Sequence, residues 1–88
     1  MKIYYTTQFK KDYKRMQKQD KNMDKLKEII EKLSANISLD PKYHDHSLAG
    51  EWSSHRDCHI EPDWILIYRK TADSLYLERM GSHSDLFR

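Results

Sequence analysis

Two histidines, His59 and His83, lie in segments that also carry carboxylates, arginines and aromatic residues. Residues 56–64 read RDCHIEPDW, and residues 79–87 read RMGSHSDLF. Imidazoles exchange protons near neutral pH, guanidinium groups bind phosphate through paired hydrogen bonds, and aromatic rings stack on nucleobases. The two segments therefore contain the kinds of groups that cleavage of RNA requires.

Each of these groups can be given a role in that reaction. Attack by the neighbouring 2′-hydroxyl needs a base for its proton, an acid for the departing 5′-oxygen, and positive charge at the phosphate. We assign the base to His59, supported by Asp63, and the acid to His83, and these two labels are interchangeable. Arg79 would bind the phosphate, and Phe87 would stack on a base.

The same residues also have structural interpretations. His46 would help to orient the phosphate, but its position alone favours a hydrogen-bonding residue of a loop. His59 and Asp63 flank a tight turn and can satisfy local backbone groups.

Arg79 and Phe87 have structural interpretations as well. Arg79 can pair with Asp85 or Glu78 at little net gain in stability. Phe87 can be a hydrophobic plug.

A zinc site is the rival chemistry. On one strand, His55 and His59 would lie about 13 Å apart, too far to share an ion. His44 and His46 could chelate in an extended loop, but no further ligand pair completes a tetrahedral site, and His44 and His55 are otherwise expected on the surface. Cys58 faces away from His59 because side chains alternate along a strand. We expect no metal and no cofactor.

The elements that position these residues are predicted from periodicity. The first helix, capped by Thr7, repeats apolar residues at Phe9, Tyr13 and Met16, and an apolar stripe predicts a second helix from Met23 to Leu33. Strands are predicted at residues 2–6, 52–60, 64–69 and 75–80, and a loop at 36–50.

The order β-α-α-β-β-β predicts an α+β domain in which the two helices form a hairpin on one face of the sheet. The strand over residues 64–69 is almost entirely apolar and should be central in the sheet. Trp52 and Trp64 are expected to be core residues.

Length and composition set the class of protein. The 88 residues, 38% of them hydrophobic and 34% charged, fit one folded domain over residues 1–88. Cys58, the single cysteine, cannot form an internal disulfide, and no apolar signal segment is seen at the N-terminus. The longest apolar run is far shorter than the roughly 20 residues that span a bilayer. We expect a reduced, cytoplasmic protein that does not enter a membrane.

Charge is unevenly distributed along the chain. Residues 1–36 carry ten Lys and Arg against five Asp and Glu, although the net charge of the whole chain is only +2. A basic helical face is compatible with binding to a polyanion such as RNA, and a solvated lysine-rich surface is the alternative. The candidate contact residues are Lys10, Lys11, Lys14, Arg15, Lys18 and Arg56.

Several spaced strings together resemble a known family. They are DHSLAG at residues 45–50, Trp52, RDCHI at 56–60, PDWILIY at 62–68 and RMGSHSDLF at 79–87. These strings, in this order, are similar to the YafQ branch of the RelE-type bacterial toxins. The similarity departs at Glu51 and at residues 53–55, where relatives often carry Lys or Arg, which bears on ribosome affinity rather than on the chemistry.

The resemblance implies a RelE-like fold, with a small curved, mainly antiparallel sheet, and a toxin of a type II toxin–antitoxin system. Such a toxin is a ribosome-dependent endoribonuclease that cuts mRNA in the decoding site of the small subunit and is held inactive by a cognate antitoxin. The alternative is a non-catalytic module that binds the ribosome or another target on the same scaffold. The resemblance implies an active site made of His46, His59, Asp63, Arg79, His83 and Phe87.

Overall fold

The computed structural model describes residues 1–87 and confirms the α+β class. The elements are β1 (Lys2–Tyr5), α1 (Thr7–Lys18), α2 (Met23–Ser34), β2 (His46–Ser47), β3 (Arg56–Glu61), β4 (Trp64–Lys70), β5 (Ser74–Gly81) and α3 (His83–Leu86), with 3₁₀ turns at Pro41–Tyr43 and Gly50–Trp52. The sheet has the order β1-β5-β4-β3-β2, in which β1 is parallel to β5 and the other pairs are antiparallel. No helix within residues 1–87 is long and apolar enough to cross a membrane.

The helix starts are set by short polar side chains. The Thr6 hydroxyl accepts a hydrogen bond from the Phe9 N–H at 3.0 Å, and the side chain of Asn22 caps α2 in the same way. The prediction that Thr7 caps α1 and that the first strand includes Thr6 was therefore wrong by one residue. A capping residue keeps an extended backbone, so Thr6 is easily taken for the end of a strand.

The segment between α2 and β3 differs most from the prediction. The strand expected from Trp52 begins only at Arg56, because Gly50 and Ser54 have positive φ angles of 66° and 70°, which interrupt an extended chain. The predicted loop contains β2, whose two residues pair with β3. A strand of two residues is too short to show periodicity in the sequence. It forms because it pairs with β3.

The sheet buries side chains on both faces. We call the side covered by α1 and α2 the helix face and the opposite side the open face. The main core lies on the helix face and includes Phe9, Met16, Leu26 and Trp64, all at most 2% exposed. A smaller cluster on the open face contains Ile65, Ile67 and Leu86, with Leu48, Trp52 and Phe87 packed against it. Strand β4 is thus central and buried on both faces, as its apolar sequence predicts.

Candidate active site

Three histidines from three different elements meet at one end of the sheet. His46 lies on β2, His59 on β3 and His83 at the start of α3. The ring centroids of His46 and His59 are 6.4 Å apart, and those of His59 and His83 are 6.1 Å apart. The antiparallel pairing of β2 with β3, of β3 with β4 and of β4 with β5 brings together residues that are up to 37 positions apart in the sequence.

A fourth imidazole borders the same cluster. The His44 ring lies 5.6 Å from that of His59, so His44 is part of the site and not only the surface histidine expected from the sequence. His44 takes a left-handed backbone conformation, with φ of 49°, at the end of the 3₁₀ turn before β2. A groove of about 650 Å³ is lined by Lys25, Lys42, Tyr43, His44, His46, His59, Ile60, Glu61 and Pro62.

The ring orientation of His46 fixes where it carries a proton. Its Nδ1 lies 2.7 Å from the His44 carbonyl oxygen and 3.1 Å from Oδ1 of Asp57. A carbonyl oxygen can only accept, so Nδ1 is the protonated nitrogen in this arrangement. Nε2 of a neutral His46 is therefore left with a free lone pair.

Asp57 is a site residue that the sequence analysis missed. It is 2% exposed, and its Oδ1 has no directed hydrogen bond within residues 1–87, since the His46 N–H points to the His44 carbonyl. Burial raises the pKa of the Asp57 carboxyl, and the nearby rings of His46 and His59 act in the opposite direction. The carboxylate thus stands where it stabilises an added positive charge on His46.

The contact made by Asp63 differs from the one expected. We placed Asp63 beside His59, but its Oδ1 accepts a hydrogen bond from the backbone N–H of His83 at 2.8 Å. Asp63 therefore connects the β3–β4 turn to α3 and holds the residue that carries the third imidazole. No side-chain hydrogen bond of His59 is found within the described part of the chain.

The N-terminus of helix α3 is stabilised by a capping box formed by Ser82 and Asp85. The Ser82 hydroxyl accepts from the Asp85 N–H, and Oδ2 of Asp85 accepts from the Ser82 N–H. The backbone hydrogen bond from Ser82 lowers the pKa of the Asp85 carboxyl. A Cβ at Gly81 would lie 2.9 Å from Asp85, so the chain needs glycine there to bring α3 this close to β5.

Arg79 pairs with a residue that we did not consider. Its Nε and Nη2 donate to the two oxygens of Asp12 at 3.1 and 3.2 Å, and not to Asp85 or Glu78, the partners considered as a structural alternative. Asp12 is fully buried on α1, and it also accepts the Met80 N–H at 3.0 Å. A guanidinium has five N–H donors, so three remain for a phosphate.

Phe87 packs as the hydrophobic plug considered for it, and base stacking by its ring stays a prediction. Its half-buried ring packs against the open-face cluster, and the ring centroid lies 5.4 Å from that of His83. The ring therefore supports the His83 side of the site.

The basic residues expected to contact RNA fall into two groups. Lys10, Lys11, Lys14 and Lys18 are exposed on α1. Arg15 and Arg56 instead make intramolecular contacts.

Arg15 donates to the Met80 carbonyl and to Asp85, and Arg56 donates to Asp45 at 3.1 Å. The exposed side of α1 that carries Lys10, Lys11, Lys14 and Lys18, here called the lysine face, is consequently freer to bind an external polyanion.

A zinc site and a Cys58 nucleophile, the two rival chemistries, can be compared with the structure of residues 1–87. No group of three His, Cys, Asp or Glu side chains there has the arrangement needed to hold a metal ion. Cys58 is fully buried on the helix face, and desolvation raises the pKa of its thiol, which disfavours the nucleophilic thiolate.

Known toxins share both the sequence and the architecture. The mRNA interferase toxin YafQ of Escherichia coli K12 is 48% identical over 86 residues, covering 97% of this chain and 94% of that protein. The YafQ chain in the E. coli DinJ-YafQ complex superposes with a TM-score of 0.91 at 47% identity, covering 98% of this chain and 97% of that one. A metal-bound toxin from Helicobacter pylori gives a TM-score of 0.93 at 36% identity, covering 99% of both chains.

The fold and site thus place the chain among the bacterial toxins. The family model for the YafQ bacterial toxin of type II toxin–antitoxin systems matches residues 1–88. The chain belongs to this YafQ family, as the strings at residues 45–50, 56–60, 62–68 and 79–87 indicated.

Proposed function

We propose that this toxin is an endoribonuclease that cuts mRNA on the ribosome and is held inactive by a cognate antitoxin. The observation that carries the proposal is the meeting of His46, His59 and His83 beside an open groove. The E. coli relative bears the name mRNA interferase, and its YafQ chain has been solved with DinJ, which supports both the reaction and the type of partner.

In this proposal His46 is the base. Its free Nε2 accepts the proton of the 2′-hydroxyl, and the 2′-oxygen then forms a bond to phosphorus. Asp57, 3.1 Å from the opposite nitrogen, stabilises the imidazolium that results. We prefer His46 to our initial choice of His59 because the carboxylate that would support a base lies beside His46.

His83 completes the reaction as the acid. As the bond between phosphorus and the 5′-oxygen breaks, His83 gives that oxygen a proton, leaving a 2′,3′-cyclic phosphate and a 5′-hydroxyl. His59 lies between the other two rings and donates to a non-bridging phosphate oxygen. The donors of Arg79 that Asp12 does not use add positive charge at the crowded phosphate.

The product ends test this mechanism. We expect 2′,3′-cyclic phosphate and 5′-hydroxyl ends, because imidazoles alone move both protons. Ribosomes need Mg²⁺, so the toxin is treated with EDTA, dialysed and then assayed on ribosome-bound mRNA, where its rate should be unchanged. Products with 5′-phosphate ends, or a loss of activity in the treated toxin that reloading the toxin with a transition metal restores, would refute the assignment. The metal-bound relative from H. pylori makes the comparison with metal-reloaded toxin direct.

The lysine face is expected to bring the toxin to ribosomes. Replacing Lys10, Lys11 and Lys14 together by Glu should weaken ribosome binding at least about 10-fold at moderate salt, because exposed lysines contact phosphates and release counterions. Binding is measured over a salt series, and the slope of affinity against salt should become shallower. Wild-type toxin should cut the same mRNA poorly in the absence of ribosomes.

A matched control uses lysines outside this face. Lys21 and Lys27 lie beyond α1 and on α2, and reversing these two is compared with reversing Lys10 and Lys14, a double variant with the same charge change. Equal losses for the two sets would show a general charge effect. Unchanged affinity after reversal of the α1 set would show that its lysines are merely solvated.

A further inference from the structure

Three side chains form a stack on the open face, away from the histidines. Tyr4 on β1 lies directly opposite Tyr76 on β5, and Tyr76 lies opposite Arg69 on β4. The two tyrosine rings are 5.0 Å apart and inclined by 14°, and the guanidinium carbon of Arg69 is 4.1 Å from the Tyr76 ring centroid. We call these three residues the tyrosine stack.

The alternation of the strands fixes the face on which the stack lies. Ile3 and Leu75, the neighbours of Tyr4 and Tyr76, pack into the helix-face core. The stacked rings therefore point to the open face, where Asp57 and Ile65 also lie. Tyr4 ends the stack at the edge strand and is 44% exposed.

This exposure leaves a flat aromatic surface available at the edge of the sheet. Tyr5, the next residue, also has an exposed ring, but it packs on Phe9 at the helix face. Tyr4 makes its aromatic contact within residues 1–87 with Tyr76 alone. A stack that ends in an open ring, with a guanidinium on its other side, can be extended by one more planar group.

The charge around the stack favours RNA as the source of that planar group. Arg69 lies in the stack, and Lys2 lies two residues before Tyr4 on the same face, exposed to solvent. The nearest acid along β5, Glu78, faces the His55 ring nitrogen at 3.7 Å. An unpaired base would stack on Tyr4 while its backbone phosphate stays near the cations.

The position of the stack relates it to the proposed reaction. Ile65 lies opposite His59, and Arg69 is four residues further along β4, which is roughly 13 Å. Ile65 and Ile67 belong to the open-face cluster against which Trp52 packs. The histidines and the stack thus lie on the same face of the sheet, within the reach of a short single-stranded segment.

We propose that Tyr4, Tyr76 and Arg69 form a base-stacking subsite for an unpaired mRNA nucleotide that flanks the cleaved bond. This inference rests on the proposed function, since it assigns the subsite to the same substrate. A stacked base contributes about 1–3 kcal/mol, which corresponds to roughly a 5- to 150-fold change in affinity.

The test measures binding without cleavage. Ribosomes carrying a 2′-O-methyl mRNA, which lacks the attacking hydroxyl, are titrated with wild-type toxin and with the Tyr4→Ser, Tyr4→Phe and Tyr5→Ser variants. Tyr4→Ser should weaken binding at least about 5-fold. Tyr4→Phe keeps the ring and should bind as the wild type does, and Tyr5→Ser is the matched control with an equally exposed ring on the other face.

Abasic nucleotides then identify the ligand. They are placed one at a time on either side of the cut, and the loss caused by Tyr4→Ser is measured on each mRNA. At one flanking position the loss should disappear, because the base that Tyr4 contacts is already missing. A loss that persists on every abasic mRNA would assign the stack to ribosomal RNA and overturn the proposal.

Two further outcomes keep this inference separate from the proposed function. Unchanged affinity of folded Tyr4→Ser toxin would overturn the subsite and leave the stack as a cross-strand pair that stabilises the sheet. Failure of wild-type toxin to cut unmodified mRNA on ribosomes would instead overturn the proposed function. Arg69→Gln provides a second variant, which should weaken binding on the same mRNAs as Tyr4→Ser.

Discussion

Replacing His83 with Ala is expected to lower the single-turnover rate of mRNA cleavage on ribosomes by about 100- to 10,000-fold, the usual contribution of a general acid. Ribosome binding and thermal stability should change little. The imidazole is exposed, whereas α3 is anchored by backbone contacts that the substitution leaves in place, including the His83 N–H to Asp63. The measurement is a single-turnover time course with saturating toxin.

Two companion variants make the His83 result interpretable. Ser84→Ala changes the next exposed residue of α3 and should retain nearly full activity. Asp63→Ala removes the acceptor that holds the His83 backbone, so it should lower the rate while the side-chain acid is still present. A loss smaller than about 10-fold for His83→Ala would assign the acid to another group.

Replacing Asp12 with Ala is expected to lower the free energy of unfolding by about 3–5 kcal/mol, because it leaves a partly buried arginine without its partner. Asp12 is fully buried and accepts hydrogen bonds from Arg79 and from the Met80 N–H. In a domain of this size each kcal/mol corresponds to roughly 4–8 °C in Tm. Urea titration and thermal melting measure the change.

Glu28→Ala is the matched control for Asp12→Ala. Glu28 pairs with Lys32 on the exposed side of α2, and its loss should cost less than about 0.5 kcal/mol. A double variant, Asp12→Leu with Arg79→Met, should recover part of the stability, since neither charge is then left unpaired. Equal destabilisation by Asp12→Ala and Glu28→Ala would contradict the structural role of the Asp12 pair.

The contribution of Arg79 to the stability of the fold can be separated from its contribution to mRNA cleavage. Its pairing with Asp12 holds the guanidinium in a fixed orientation, while its side chain stays 25% exposed. The stable double variant should therefore fold and yet cut mRNA slowly, because it lacks the charge at the phosphate. Recovery of both stability and cleavage would show that Arg79 serves the fold alone.

The amino-acid sequence predicts the two helices and the three long strands, apart from the start of β3, because each shows a local periodicity or, in β4, a continuous apolar run. The spacing of Phe9, Tyr13 and Met16 marks α1, and the apolar run from Trp64 marks β4. The strings around His59 and His83 likewise pointed to the YafQ family before any contact was known.

Which groups act together follows from the folded sheet and the packing of α1. Asp57 reaches His46 because β2 pairs with β3, and Asp12 reaches Arg79 because α1 packs against β5. The first pair is 11 residues apart and the second 67. No local sequence pattern predicts contacts between residues so far apart. Strand register and helix packing are properties of the folded protein, and they bring scattered histidines and carboxylates into one site.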